Sequence, residues 1–146
     1  MTLYQTDFYA WTQQQAALLQ AEEFTEVDWQ NLIEEIEDMG SSKRDALESH
    51  LEVLLRHLLK LYCLPNSNPS RKWRATVKEQ RYRIGRLLKK NPSLCPLVPE
   101  MIADMYAEAS DLAADDLAND DLAGSALPVR CPWTSEQILA LDWLPS

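Results

Sequence analysis

Few residues in this chain could do acid-base or metal chemistry: two histidines, His50 and His57, and an acidic run, Glu34, Glu35, Glu37 and Asp38. An imidazole beside a carboxylate can move a proton, and nearby cations can hold an anionic substrate. Brought together, Glu34, Glu35, His57, Lys60 and Arg81 would form a hydrolase-like site, with Glu35 or His57 as general base and Lys60 and Arg81 as the anion holders. The spacing speaks against a metal. His50 and His57 are seven residues apart, about 10 Å along a helix, too far for one ion to bridge unaided. A di-metal carboxylate bundle needs Glu-x-x-His pairs, and the sequence has none. It also lacks GxSxG, HExxH, Walker and dinucleotide-binding patterns, and its only glycines are Gly40, Gly85 and Gly124. Neither a metal nor a cofactor is expected.

A second kind of chemistry is written in charge. Residues 1–42 hold nine acids and no base, residues 43–90 are net +9, and residues 91–146 are net −9, so a basic middle sits between two acidic arms in a chain of net charge −9. Most of the positive charge falls in segment 71–90, with nine bases against Glu79 alone. If Trp73, Val77, Ile84 and Leu88 face a core, a rotation of about 100° per residue sends Arg71, Arg74, Lys78, Arg86 and Lys89 outward with Tyr82 among them. An aromatic ring amid cations resembles a surface for phosphates and bases. Competing with that reading is an acidic stripe in the next segment, Glu100, Asp104, Glu108, Asp111 and Asp115, which could neutralise the basic helix internally. Internal pairing is the favoured expectation. A protein or other anionic partner is then expected before nucleic acid.

These side chains need scaffolding, and the hydrophobic spacing predicts helices throughout. Thr6 or Asp7 caps a first helix to about Glu22; Thr25 with Asp28 starts a second, carrying Trp29, Leu32, Ile33 and Ile36, which Gly40 stops. Ser42 with Asp45 starts a third, running to about Leu64 before the Pro65–Ser70 loop. Leu47, Leu51, Leu54, Leu58 and Leu61 form its apolar stripe, and Val53, Leu55, Leu59, Tyr62 and Leu64 widen it beyond a two-stranded seam, as suits the hub of a core. His57, beside Leu54 and Leu58, is expected to be buried and bonded to a carboxylate or backbone group, the acidic run at the end of the second helix being the natural partner. Acids at a helix C-terminus oppose the dipole, so Lys43, Arg44, Lys60 or a metal should compensate them.

Ser70 caps a fourth helix over residues 71–90, and a fifth begins near Pro96 or Pro99 and runs to about Leu117, antiparallel to the fourth. Residues 119–146 read as an irregular tail, with Thr134 and Gln137 capping a short last turn. The expected fold class is all-α: one domain over residues 1–146, a bundle of about five main helices plus that turn. The first residues lack the cationic start of a signal peptide, and no apolar run is long enough to span a membrane. Three cysteines with no paired spacing add to the expectation of a cytoplasmic protein.

Four strings in order, DFYAW (Asp7 to Trp11), NLIEEIEDMG (Asn31 to Gly40), HLLK (His57 to Lys60) and WRATVKEQR (Trp73 to Arg81), resemble the bacterial family known as domain of unknown function 29. The resemblance extends to CPWT (Cys131 to Thr134). It implies a helical fold and no assigned activity, so it transfers no catalytic residue. The matching positions are Asp7, Trp11, Glu34, Glu35, Gly40, His57, Lys60, Trp73, Thr76 and Arg81; Leu61 and Lys72 depart from the tryptophan and serine that the resemblance leads one to expect.

Overall fold

The structure is a computed structural model that describes residues 1–122 and 126–146; Gly124 lies outside the described residues. It is all-α, with α1 (Leu3–Thr6), α2 (Phe8–Gln20), α3 (Trp29–Cys63), α4 (Ser70–Lys90), α5 (Val98–Asn119) and α6 (Ser135–Leu139), plus 3-10 turns at Phe24–Glu26 and Pro92–Leu97. The described residues contain no strand. The chain divides into two compact units, Met1–Ser42 and Lys43–Ser146, with α3 running through the boundary.

In the first unit Asp7 caps α2 by accepting from the Ala10 amide at 3.0 Å, and the short α1 ahead of it carries Tyr4. Tyr4 packs edge-on to Trp11, ring centroids 4.8 Å apart, and its hydroxyl donates to Glu35. That carboxylate raises the Tyr4 phenol to about 12. Buried Trp11 donates its indole N–H to Asp28 at 3.1 Å, and the Asp28 amide donates to Gln15 at 2.7 Å. Asp28 also accepts from Asn31 at 2.8 Å, which is the main reason its carboxyl lies below the usual range, with the Trp11 bond adding to it. Asp28, rather than Thr25, therefore organises the start of α3.

Gly40 does not stop a helix. The predicted second and third helices are the single 35-residue α3. A glycine ends a helix only where the chain turns left-handed; inside one it costs about 1 kcal/mol relative to alanine, and the flanking Glu, Asp, Met, Ser and Lys are compatible with continuing it. Hence Ser42 caps nothing, and Glu34, Glu35, Glu37 and Asp38 lie far from the helix C-terminus and need no cation there. Ser70 likewise is the first residue of α4, with Pro69 ahead of it as the cap.

The second unit is built around the C-terminal half of α3. Leu47, Leu51, Leu54, Leu55, Leu58, Leu59 and Leu61 are all buried, joined by Trp73, Val77 and Ile84 of α4 and by Met101, Ile102, Tyr106, Ala109, Ala113 and Leu117 of α5. The hub reading holds, except that Tyr62 is exposed and meets Trp133 edge-on. The segment after α5 is pinned by the Tyr106 hydroxyl, which donates to the Pro128 carbonyl at 2.7 Å; burial, first of all, raises that phenol to about 12. Thr134 and Gln137 form the expected capping box on α6. Ile138 of α6 is fully buried. The three cysteines are unpaired.

Candidate functional site

The five residues of the hydrolase-like reading are divided between the two units, Glu34 and Glu35 in the first and His57, Lys60 and Arg81 in the second. Glu34, Glu35 and His57 all lie within α3. Four of the five have other partners. Glu35 accepts from Tyr4, and Lys60, only 5% exposed, donates to Asp116 of α5 at 3.0 Å and lies 5.3 Å from the centre of the Trp73 ring. Arg81, 4% exposed, donates to the backbone carbonyls of Ile138 at 2.8 Å, Trp143 at 2.7 Å and Gln137 at 3.3 Å. The anion-holding cations of that reading are therefore structural. Arg81 could have been placed inside from its spacing, because it continues the Trp73, Val77, Ile84 stripe, but a guanidinium there reads as surface until its three acceptors are known.

The histidines also find partners other than the acidic run. His50 Nδ1 is 2.7 Å from the Gln80 side-chain oxygen of α4. His57 is half-buried, and its Nδ1 donates to the Val53 carbonyl at 2.7 Å, which leaves Nε2 as the basic nitrogen of the neutral ring. It lines an open groove of about 940 Å³ with Ser67, Lys72, Trp73, Thr76 and Asp120. Burial, above all, pushes the His57 imidazole down from its usual 6.5; Lys60 and Arg56 push the same way, while the Val53 bond and Asp116 oppose them. The folded state thus holds this proton less tightly than the unfolded chain. Stability is full above about pH 6.5 and is lost as pH falls through that value toward the lower folded pKa. Urea melts at about pH 7.5 and about pH 5.5 should show the parent weakening more than His57→Gln. Equal slopes would mean the ring is freely solvated.

Among the described residues, no three His, Cys, Asp or Glu side chains come together in a way that could hold a metal ion. Every buried side-chain N or O among them has a hydrogen-bond partner. None of their helices is long and apolar enough to cross a membrane.

The basic helix is more exposed than the sequence suggests. Arg71, Lys72, Arg74, Lys78, Tyr82, Arg83, Arg86, Lys89 and Lys90 all face solvent. Among the described residues its one ion pair is Arg83 with Glu79 of the same helix, at 2.8 Å; Arg74 donates weakly to the Pro65 carbonyl at 3.3 Å. The expected neutralisation by α5 is not made. Glu100, Asp104, Glu108, Asp111 and Asp115 are themselves exposed and form no ion pair with α4. Apolar residues of α5 occupy its inner face, and the acid that does pair is Asp116, with Lys60 and, at 3.7 Å, Arg56 of α3. A stripe read as facing α4 thus points to water, because its neighbours at Met101, Ala109 and Ala113 take the contact surface.

The architecture is that of an all-helical protein with a cationic outer helix and a tightly paired interior. The chain belongs to the family described as Domain of unknown function DUF29, whose model matches residues 3–144. Its fold is similar to the crystal structure of an alpha-helical protein of unknown function from Rhodospirillum rubrum, at 21% identity and a TM-score of 0.68 over 98% of this chain and 92% of that one. No curated protein matches the chain significantly.

Proposed function

We propose that this protein is a non-catalytic interaction module that binds an anionic partner through the outer face of α4, with Arg71, Arg74, Lys78, Arg86 and Lys89 around Tyr82 as the contact residues. The carrying observation is that these five cations are exposed and, among the described residues, free of ion pairs. Such a face pays little desolvation on meeting carboxylates or phosphates and draws them in electrostatically. The favoured partner is a short acidic segment of a protein rather than a long nucleic acid. The molecule's net charge of −9 repels an extended polyanion, whereas a short segment needs contact with the cations of α4 alone. The scattering of Glu35, His57 and Arg81 into separate hydrogen-bonded roles favours binding over catalysis.

Fluorescence anisotropy with a labelled oligoglutamate peptide and with labelled single- and double-stranded DNA tests this at about 50 mM and about 200 mM salt. The peptide should bind at the lower salt and lose about tenfold or more in affinity at the higher. Lys78→Glu with Arg86→Glu should abolish the signal. DNA binding without peptide binding would replace the protein partner by nucleic acid, and no binding of either probe would sink the proposal.

A further inference from the structure

The N-terminal half of α3 carries an apolar stripe that the rest of the first unit, Met1–Ser42, leaves exposed. Trp29, Ile33, Ile36 and Met39 are 46, 51, 54 and 61% exposed on a helix whose neighbouring positions are mostly acidic. Trp29, Ile33, Ile36 and Gly40 follow steps of four, three and four, the seam spacing of two packed helices. The contacts of α1 and α2 fall elsewhere, at Asp28 and Glu35, about 100° around the helix from this seam. Gly40 is the bare point of the stripe: a Cβ built there would meet nothing within 4 Å. Its missing side chain is thus not explained by any neighbour among the described residues.

We infer that this face is a homodimer interface in which the N-terminal halves of α3 from two copies pack antiparallel. The stripe is complementary to itself under one register. A two-fold axis through the helix midway between Glu34 and Glu35 sets Ile33 against Ile36 of the second copy and Trp29 against Gly40 of the second copy, so the largest side chain meets the position with none. Glu34 and Glu35 turn outward from the seam. Closing the exposed parts of Trp29, Ile33, Ile36, Met39 and their surroundings in both copies would bury on the order of 1,000 Å², the lower edge of specific interfaces. A reversible dimer with a dissociation constant on the order of 10 µM is expected. This interface is independent of the α4 face, and neither needs the other.

Sedimentation velocity of the full chain from about 1 µM to about 200 µM should show monomers passing to dimers. Ile36→Glu should weaken the dimer by about 100-fold while leaving the helical circular dichroism and melting temperature near the parent's, since Ile36 is exposed in the single chain. Gly40→Leu should weaken it by about tenfold or more even though leucine is the better helix former, because Trp29 loses its seat. A parent that stays monomeric throughout, or a dimer indifferent to Ile36→Glu, overturns the interface. A dimer broken by Ile36→Glu that tolerates Gly40→Leu overturns the register on which the inference rests.

Discussion

Replacing Arg81 with Ala is expected to lower the unfolding free energy by about 3 kcal/mol and to loosen the C-terminal segment before the rest of its unit. The side chain is nearly inaccessible and its guanidinium donates to three backbone carbonyls, those of Gln137, Ile138 and Trp143. Two of them belong to the last turn of α6, its negative dipole end, where the Gln137 carbonyl also accepts from the Ala140 amide at 3.3 Å. The fork of donors from one planar cation closes that end and ties the following turn to α4. Truncation would remove the charged donor and leave these acceptors facing an apolar cavity beside Ile138. Burial already pushes the guanidinium below its ordinary pKa, with Asp142 opposing, but a guanidinium keeps its charge in a folded protein. Arg81→Lys should recover no more than about a third of the loss, because a single ammonium cannot reach three divergent acceptors. Urea melts give the magnitude, and hydrogen exchange at residues 137–144 gives the locality. Unchanged exchange there in Arg81→Ala would show that the clamp does not hold the segment.

The parts of the fold that could be read from the sequence are those set by local chemistry. Asp7, Thr134 and Gln137 act within a turn of their own position, and the leucines of α3 repeat with the helix period, so caps and hub follow from spacing alone. Gly40 misleads because a glycine inside a helix and one beyond its end look alike in sequence; the difference is a backbone angle that the rest of the chain decides. The expected compensation of Glu34, Glu35, Glu37 and Asp38 by a cation at a helix end went with it, since those acids lie inside α3. The acidic stripe of α5 failed for another reason. Five acids at helical spacing fix a face but not its direction, and the alanines and Met101 on the opposite side, being the apolar face, win the contact with the core. Exposure of the basic face of α4 follows from the same rule, and was legible once Trp73, Val77 and Ile84 were set inward.

The contrast between Asp116 and Lys60 tests whether the cations are structural in a sharper way than either substitution alone. Lys60 is buried against Trp73 and its ammonium meets Asp116 at 3.0 Å, while the Asp116 side chain keeps 31% of its surface in water and also lies 3.7 Å from Arg56. Asp116→Ala leaves a buried ammonium with only the Trp73 ring beside it. Removing one partner from a fully buried pair costs about 3–5 kcal/mol; water at the Asp116 edge screens part of that, so about 2–3 kcal/mol is expected. Lys60→Met removes the charge itself but keeps an unbranched apolar stem along Trp73, and Asp116 retains Arg56 and solvent, so its cost should stay below about 1 kcal/mol. The double variant should be close to Lys60→Met alone, because once no buried charge exists there is nothing for Asp116 to compensate. Urea denaturation of the four proteins closes the cycle. Were Lys60→Met to cost as much as Asp116→Ala, the ion pair would be contributing stability in its own right rather than neutralising a charge already buried, and the order of the two effects would have to be reversed.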